Sequence, residues 1–299
     1  MKKPPYLAKG DTVGILSTAR KISRQQLEPF LELLKSWNLN YSLGKTIGAE
    51  ENQFAGGDDL RRQDLQHMLD DPNINAIWCA KGGYGTVRLL DDLDFTKFLE
   101  HPKWIIGYSD ITALHSHLHN LGIETIHGQI GENIEKKSDA ARSSLKNILF
   151  GNNHSILFSE EVHEKNRLGV ATGPLVGGNL SLLYSLCGSP SALNTDGKIL
   201  FIEDLDEYLY HVDRMMMNLK RNGMLENLRG LIVGGMTKMH DNNQPFGKAA
   251  EEIILDSVSG YDYPVCFNFP AGHIDDNRAL ILGREVELSV QTTEIALHF

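Results

Sequence analysis

The stretch WIIGYSDITALH, Trp104–His115, decides how this chain is read. Trp104, Ile105 and Ile106 form a short apolar run, as a buried strand requires. Gly107-Tyr108-Ser109-Asp110 breaks that run. Apolar residues then recur at Ile111, Leu114, Leu118 and Leu121, the spacing of one helix face, and Gly122 supplies a C-terminal cap. A strand that turns directly into a helix is the repeating unit of a parallel α/β sheet. The turn also carries chemistry. A helix start aims free N–H groups at whatever binds there, which suits an attacking Ser109 and the oxyanion it would form. The local sequence departs from the G-x-S-x-G elbow, with Ile111 at its last position. Ser109 and Asp110 are equally the residue types that cap helices. Local pattern alone favours the cap.

Outward from this stretch, strands and helices alternate. Thr12–Leu16 and Ile74–Ala80 read as buried strands. RQQLEPFLELLKSW, with Leu27, Phe30, Leu31 and Leu34, and DDLRRQDLQHMLDD, with Leu60, Leu65, Met68 and Leu69, read as amphipathic helices. This predicts an N-terminal parallel-sheet domain of Rossmann or flavodoxin type over residues 1–134. A polar tract, 135–168, reads as a connecting segment. Residues 169–299 carry short apolar runs (KILFIE, GLIVGG, YPVCFNFP, EVELSV, EIALHF) and read as a second, more β-rich α/β domain.

The bulk numbers narrow the function. The chain has 299 residues, 41% hydrophobic and 23% charged, with a formal net charge of −10. That composition is globular, and the acidic balance argues against nucleic-acid or anionic-membrane partners. Three widely spaced cysteines suggest neither a disulfide framework nor a zinc site, and a reducing compartment fits. No apolar run reaches the length of about 18 residues that a membrane helix needs, and the N-terminus lacks the apolar core of a signal peptide. A cytoplasmic protein is expected.

Four further segments carry possible chemistry. CAKGGYGT, Cys79–Thr86, is a glycine-rich loop whose N–H groups could approach a phosphate or an oxyanion; it is neither G-x-G-x-x-G nor a P-loop, and a plain tight turn is the simpler reading. Glu203 ends the strand KILFI, where functional groups of open α/β sheets lie, but an acidic loop follows it. His273, in FPAGHIDD, could be a general base or one of twelve histidines in a surface turn. HSHLH (His115, His117, His119) lacks the partners of a zinc site and reads as a partly exposed helix face. The cysteines read as core fillers.

Together and in this order, KGGYG, IGYSDITALH, GGNLSLL and IED…VDRM resemble the LD-carboxypeptidase family of serine peptidases, which also contains microcin-immunity peptidases. The resemblance runs over nearly the whole chain. It implies a Ser-His-Glu triad of Ser109, His273 and Glu203, with an oxyanion hole formed by the backbone N–H groups of Gly83 and Asp110. It implies no cofactor, no metal, a small muropeptide substrate and a homodimer. The reaction implied is hydrolysis of an L,D-peptide bond that releases the terminal D-alanine of a murein tetrapeptide during peptidoglycan recycling. The alternative is an immunity-type peptidase that cleaves an aminoacyl-nucleotide amide. A non-catalytic binding module is a third reading. A positive group should meet the substrate's terminal carboxylate, and Arg88, Arg214 and Lys81 are candidates.

Overall fold

A computed structural model describes residues 1–159 and 162–299. Glu160 and Glu161, within the segment read as a connection, lie outside the described residues. Two sheets organise the chain. The first has six strands: β1 (Thr12–Leu16), β2 (Asn40–Leu43), β3 (Ala76–Cys79), β4 (Trp104–Gly107), β5 (Thr125–His127) and β11 (Leu280–Leu282). Their order is β11-β5-β4-β3-β1-β2. The first five are parallel, and β11 pairs antiparallel with β5. The order 2-1-3-4-5 is the flavodoxin-like one, and its switch point lies between β1 and β3. Ligands of such sheets bind beyond the carboxyl ends of the strands at that point.

The helices of this half form where the spacing places them. Helix α1 (Arg24–Ser36) buries Leu27, Phe30, Leu31 and Leu34, and Ser23 and Gln26 close a capping box at its start. Helix α2 (Asp58–Asp70) buries Leu65, Met68 and Leu69, leaving Leu60 half-buried. Helix α3 is a short turn, Thr96–Glu100. Helix α4 (Thr112–Asn120) follows β4 and buries Leu114 and Leu118. It ends in a Schellman motif: Gly122 N–H donates to His119 O and Ile123 N–H to Leu118 O. Leu121, placed on the buried face by sequence spacing, is the capping residue of that turn and is exposed.

The tract 135–168 contains helix α5 (Asp139–Leu149) and strand β6 (Ser155–Phe158). Ala141, Leu145, Ile148 and Leu149 are buried, and the last three join the core built around α1 and the first sheet. The helical spacing of these residues is present in AARSSLKNIL but lies inside a polar context.

The second sheet has seven strands in the order β10-β9-β8-β7-β12-β13-β6. Strands β7 (Gly169–Asn179), β8 (Ile199–Leu205), β9 (Gly230–Thr237) and β10 (Val265–Cys266) are parallel. Strands β12 (Glu285–Val290) and β13 (Ile295–His298) continue the sheet antiparallel. Helices α6 (Leu180–Leu186), α7 (Leu209–Arg221) and α8 (Ala250–Ser257) supply the apolar cover. The fold is therefore mixed α/β, with a mainly parallel first sheet and a more β-rich second half. No described helix is long and apolar enough to cross a membrane.

The two sheets meet along α4. Asn179 N–H, at the end of β7, donates to Thr112 Oγ1 at 3.0 Å. Gly178 admits this approach, since a Cβ there would lie 2.5 Å from Thr112 Oγ1. His117 Nδ1 reaches Ser191 Oγ at 2.9 Å. The expectation that HSHLH is a partly exposed face holds for His117 and His119 but not for His115. His115 is fully buried, its Nε2 bonded to Gly107 O at 2.9 Å, and burial lowers its pKa to about 4. His117 and His119 are half-buried. The histidines sit on the seam with the second half of the chain, which a pattern internal to one helix cannot reveal. Among the described residues, no cluster of His, Cys, Asp or Glu is arranged to hold a metal ion.

Candidate active site

Ser109 follows β4 after one residue, Tyr108, and opens a single 3₁₀ turn, Ser109–Ile111, that leads into α4. Its φ is 63°, a left-handed conformation that costs a residue with a Cβ roughly 1–2 kcal/mol. Such strain persists only where the surroundings enforce it, and it clusters at functional sites. The choice between cap and exposed turn residue is decided by the hydrogen bonds. Neither the 3₁₀ turn nor α4 has a side-chain cap bond. Ser109 Oγ instead faces a cleft of about 520 Å³, lined also by Arg20, Lys81, Gly82, Gly83, Tyr108 and His273.

Asp110 is buried, and its Oδ2 accepts from Thr86 N–H at 2.9 Å. Burial raises its pKa. The carboxyl thus ties the Ser109 turn to the segment after the glycine loop, a structural task beyond the backbone role expected from sequence. The loop itself packs against the turn. A Cβ on Gly82 would lie 3.5 Å from Ser109 Cβ and 3.7 Å from Ser109 Oγ. Gly83 has φ +113°, which glycine adopts freely. The first N–H groups of a helical turn have no partner within it. Gly82 and Gly83 thus line the cleft beside Ser109.

Glu203 and His273 come from the second sheet. Glu203 lies near the carboxyl end of β8 and is completely buried. The β8–β9 register shifts at this point, with Ile202 opposite Val233 and Asp204 opposite Met236. The extra residue falls in β9, at Gly234 and Gly235. Such a bulge re-aims side chains. Gly235 N–H donates to Ala271 O at 3.0 Å, which brings the loop Ala271–His273 down onto the strand ends. A Cβ on Gly272 (φ +103°) would lie 2.7 Å from Glu203 Cβ and Oε2, so only glycine lets the loop cross the carboxylate. Glu203 Oε2 then accepts from two groups of one residue: His273 N–H at 3.1 Å and His273 Nδ1 at 2.6 Å. A carboxylate only accepts, so Nδ1 carries the proton and Nε2 is left basic. His273 is mostly buried and packs against Tyr108, with ring centroids 4.7 Å apart.

The structure therefore couples Glu203 to His273 directly and places His273 and Ser109 in one cleft. No hydrogen bond between Ser109 Oγ and His273 is present among the described residues; catalytic bonds of this kind often tighten only around substrate. Beneath the pair, Asp204 accepts from Asn179 Nδ2 at 2.9 Å, Ser181 N–H at 2.9 Å and Leu205 N–H at 2.9 Å. Burial, reinforced by the charge of Glu203, pushes its pKa up to about 7. Sequence reading treated Asp204 as part of a solvated loop; its burial follows from β8 extending to Leu205. His127 is also buried; among the described residues neither ring nitrogen has a hydrogen-bond partner, and burial holds it neutral. The cysteines are not candidates. Cys79 and Cys266 are fully buried, and burial pushes the Cys79 thiol up to about 12.

Comparison with known proteins gives the chain a lineage. The family described as LD-carboxypeptidase N-terminal domain matches residues 13–128, and the LD-carboxypeptidase C-terminal domain matches residues 172–288. The probable murein peptide carboxypeptidase of Bacillus subtilis is 35% identical over 295 residues, covering 96% of this chain and 91% of that protein. The microcin C7 self-immunity protein MccF of Escherichia coli is 26% identical, covering 97% and 94%. The crystal structure of muramoyltetrapeptide carboxypeptidase from Oxalobacter formigenes superposes with a TM-score of 0.87 at 25% identity, covering 96% and 97%. With both domain families matched in order and most of the chain covered, this protein belongs to the LD-carboxypeptidase family of peptidases.

Proposed function

We propose that the protein is a serine-type LD-carboxypeptidase that removes the terminal D-alanine from murein tetrapeptides, with Ser109, His273 and Glu203 as its triad. The observation that carries this reading is the Glu203–His273 pair, closed by two hydrogen bonds and facing the cleft that the strained Ser109 also lines. His273 Nε2 takes the proton of Ser109 Oγ as Oγ attacks the scissile carbonyl. The imidazolium that forms is stabilised by the buried Glu203 carboxylate. The tetrahedral oxyanion is received by the N–H groups of Gly83 and Asp110, one such donor being worth about 10²–10³ in rate. His273 then protonates the departing D-alanine amine, and water releases the acyl group by the reverse sequence.

The carboxypeptidase relative in B. subtilis, at higher identity than MccF, favours a peptide over an aminoacyl-nucleotide amide. The test is a substrate profile of the purified protein on murein tetrapeptides, L,L-linked peptides and an aminoacyl-nucleotide amide. Release of D-alanine from the tetrapeptide is the expected result. Cleavage of the nucleotide amide without release of D-alanine would reassign the protein to immunity-type chemistry.

A further inference from the structure

A carboxypeptidase must recognise a carboxylate close to its nucleophile. The carboxylate carbon of the departing residue is only three bonds from the scissile carbonyl carbon. The cleft around Ser109 holds several charged groups, and nearly all are already paired. Lys81 Nζ meets Glu132 Oε1 at 2.6 Å. Glu207 Oε2 meets His211 Nδ1 at 2.6 Å, and Asp206 Oδ1 meets His240 Nε2 at 2.6 Å. His273 is held by Glu203. Arg20 is the exception. Among the described residues its guanidinium makes no ion pair, hydrogen bond or ring contact, although it lines the same cleft.

The position of Arg20 is fixed even though its head is uncommitted. It follows β1 at the switch point of the sheet. Its N–H donates to Gly82 O at 3.3 Å, and its carbonyl accepts from Ser17 Oγ at 2.6 Å. Its side chain lies across Gly83, where an added Cβ would be 2.5 Å from Arg20 Cδ and 2.7 Å from Arg20 Nε. Gly82, the preceding residue, packs against Ser109. One turn of glycine backbone therefore separates the guanidinium stem from the nucleophile.

We propose that Arg20 is the receptor for the terminal carboxylate of the substrate, an inference that rests on the carboxypeptidase reading above. Guanidinium suits the task because its planar fork binds a carboxylate through two parallel hydrogen bonds. The cations suggested by sequence are otherwise engaged. Arg88 Nε bonds both carboxylate oxygens of Asp58, at 3.0 and 2.8 Å, Arg214 lies over the Tyr210 ring, and Lys81 is paired with Glu132. Arg20 escapes sequence reading because nothing near it in LSTARKIS marks a site; only the fold brings it beside the glycine loop.

The test uses matched tetrapeptides ending in a free carboxylate or in a carboxamide. Wild-type turnover of the free acid is measured first. Binding of both peptides is then measured calorimetrically to Ser109→Ala and to the Ser109→Ala/Arg20→Gln double variant. Arg20→Gln should weaken Kd for the free acid about ten- to hundredfold, the loss typical of a charged hydrogen-bonded pair, and leave the amide unchanged. Arg20→Lys should restore part of the preference. An unchanged acid-over-amide preference in Arg20→Gln, or its loss in Lys81→Met instead, overturns the assignment of Arg20 while leaving a turning-over carboxypeptidase. A wild-type protein that releases no D-alanine removes the carboxypeptidase reading and the role of Arg20 with it.

Discussion

Glu203→Gln probes the mechanism at its most constrained point. The carboxylate is fully buried, accepts from His273 Nδ1 at 2.6 Å and from His273 N–H at 3.1 Å, and has no room to move beneath Gly272. Glutamine keeps the shape and one carbonyl acceptor but removes the charge. In the transition state His273 becomes an imidazolium, with its charge roughly 4 Å from the carboxylate centre. At an effective dielectric of about 20, that attraction is about 4 kcal/mol. The amide dipole recovers part of it, so the expected loss in kcat is about 10²–10³-fold. Substrate binding is untouched in this mechanism, so KM should change little. The melting temperature should hold or rise, since a neutral amide costs less to bury than a carboxylate. Steady-state release of D-alanine, with a thermal melt on the same preparation, measures both. A kcat within about fivefold of wild type would refute the coupling of Glu203 to His273 in catalysis.

Three further outcomes follow from the same geometry. Gly272→Ala adds a Cβ 2.7 Å from Glu203 at a φ of +103°, so it should lower both the melting temperature and turnover. Gly188→Ala, with similar strain (φ +82°) but nothing within 4 Å, should lower the melting temperature alone; equal turnover in the two variants would contradict the steric role of Gly272. Asp204 has a pKa near 7 in the folded protein against an ordinary value of 3.8. Between these values the native state binds more protons than the unfolded chain, so this group's contribution to stability falls as pH rises from about 4 to about 7. Denaturant titrations across that window should show the slope, and Asp204→Asn should flatten it; an unchanged slope in Asp204→Asn would assign it to other groups.

The parallel half of the fold is legible because its signals are local. Each strand is a short apolar run, and each helix repeats its apolar residues at one spacing. Ser109 was ambiguous for the same reason: a turn between strand and helix looks alike whether its serine caps or attacks. The difference is a φ of 63° and a missing cap bond, in a turn that packs against Gly82 and that Asp110 ties to Thr86. Glu203 and His273 are 70 residues apart, and only the bulge at Gly234–Gly235 and the crossing at Gly272 bring them together. Local spacing holds no trace of that pairing; the resemblance to a known family supplied it. Helix α5 is hidden by its polar neighbours, and β11 joins the first sheet from far along the chain, with Leu280 opposite His127 and Leu282 opposite Thr125. Arg20 belongs to the same class of residue, silent in sequence and placed by the fold.

Turnover by Ser109→Ala is the most direct measurement of the central claim. The variant keeps the backbone turn, the glycine loop and the Glu203–His273 pair and deletes one oxygen. If Ser109 is the nucleophile, D-alanine release from the tetrapeptide should fall by at least about 10⁴-fold while the melting temperature stays close to wild type. Near-normal release by a folded Ser109→Ala protein would contradict nucleophilic catalysis at this turn and leave Ser109 a strained structural residue.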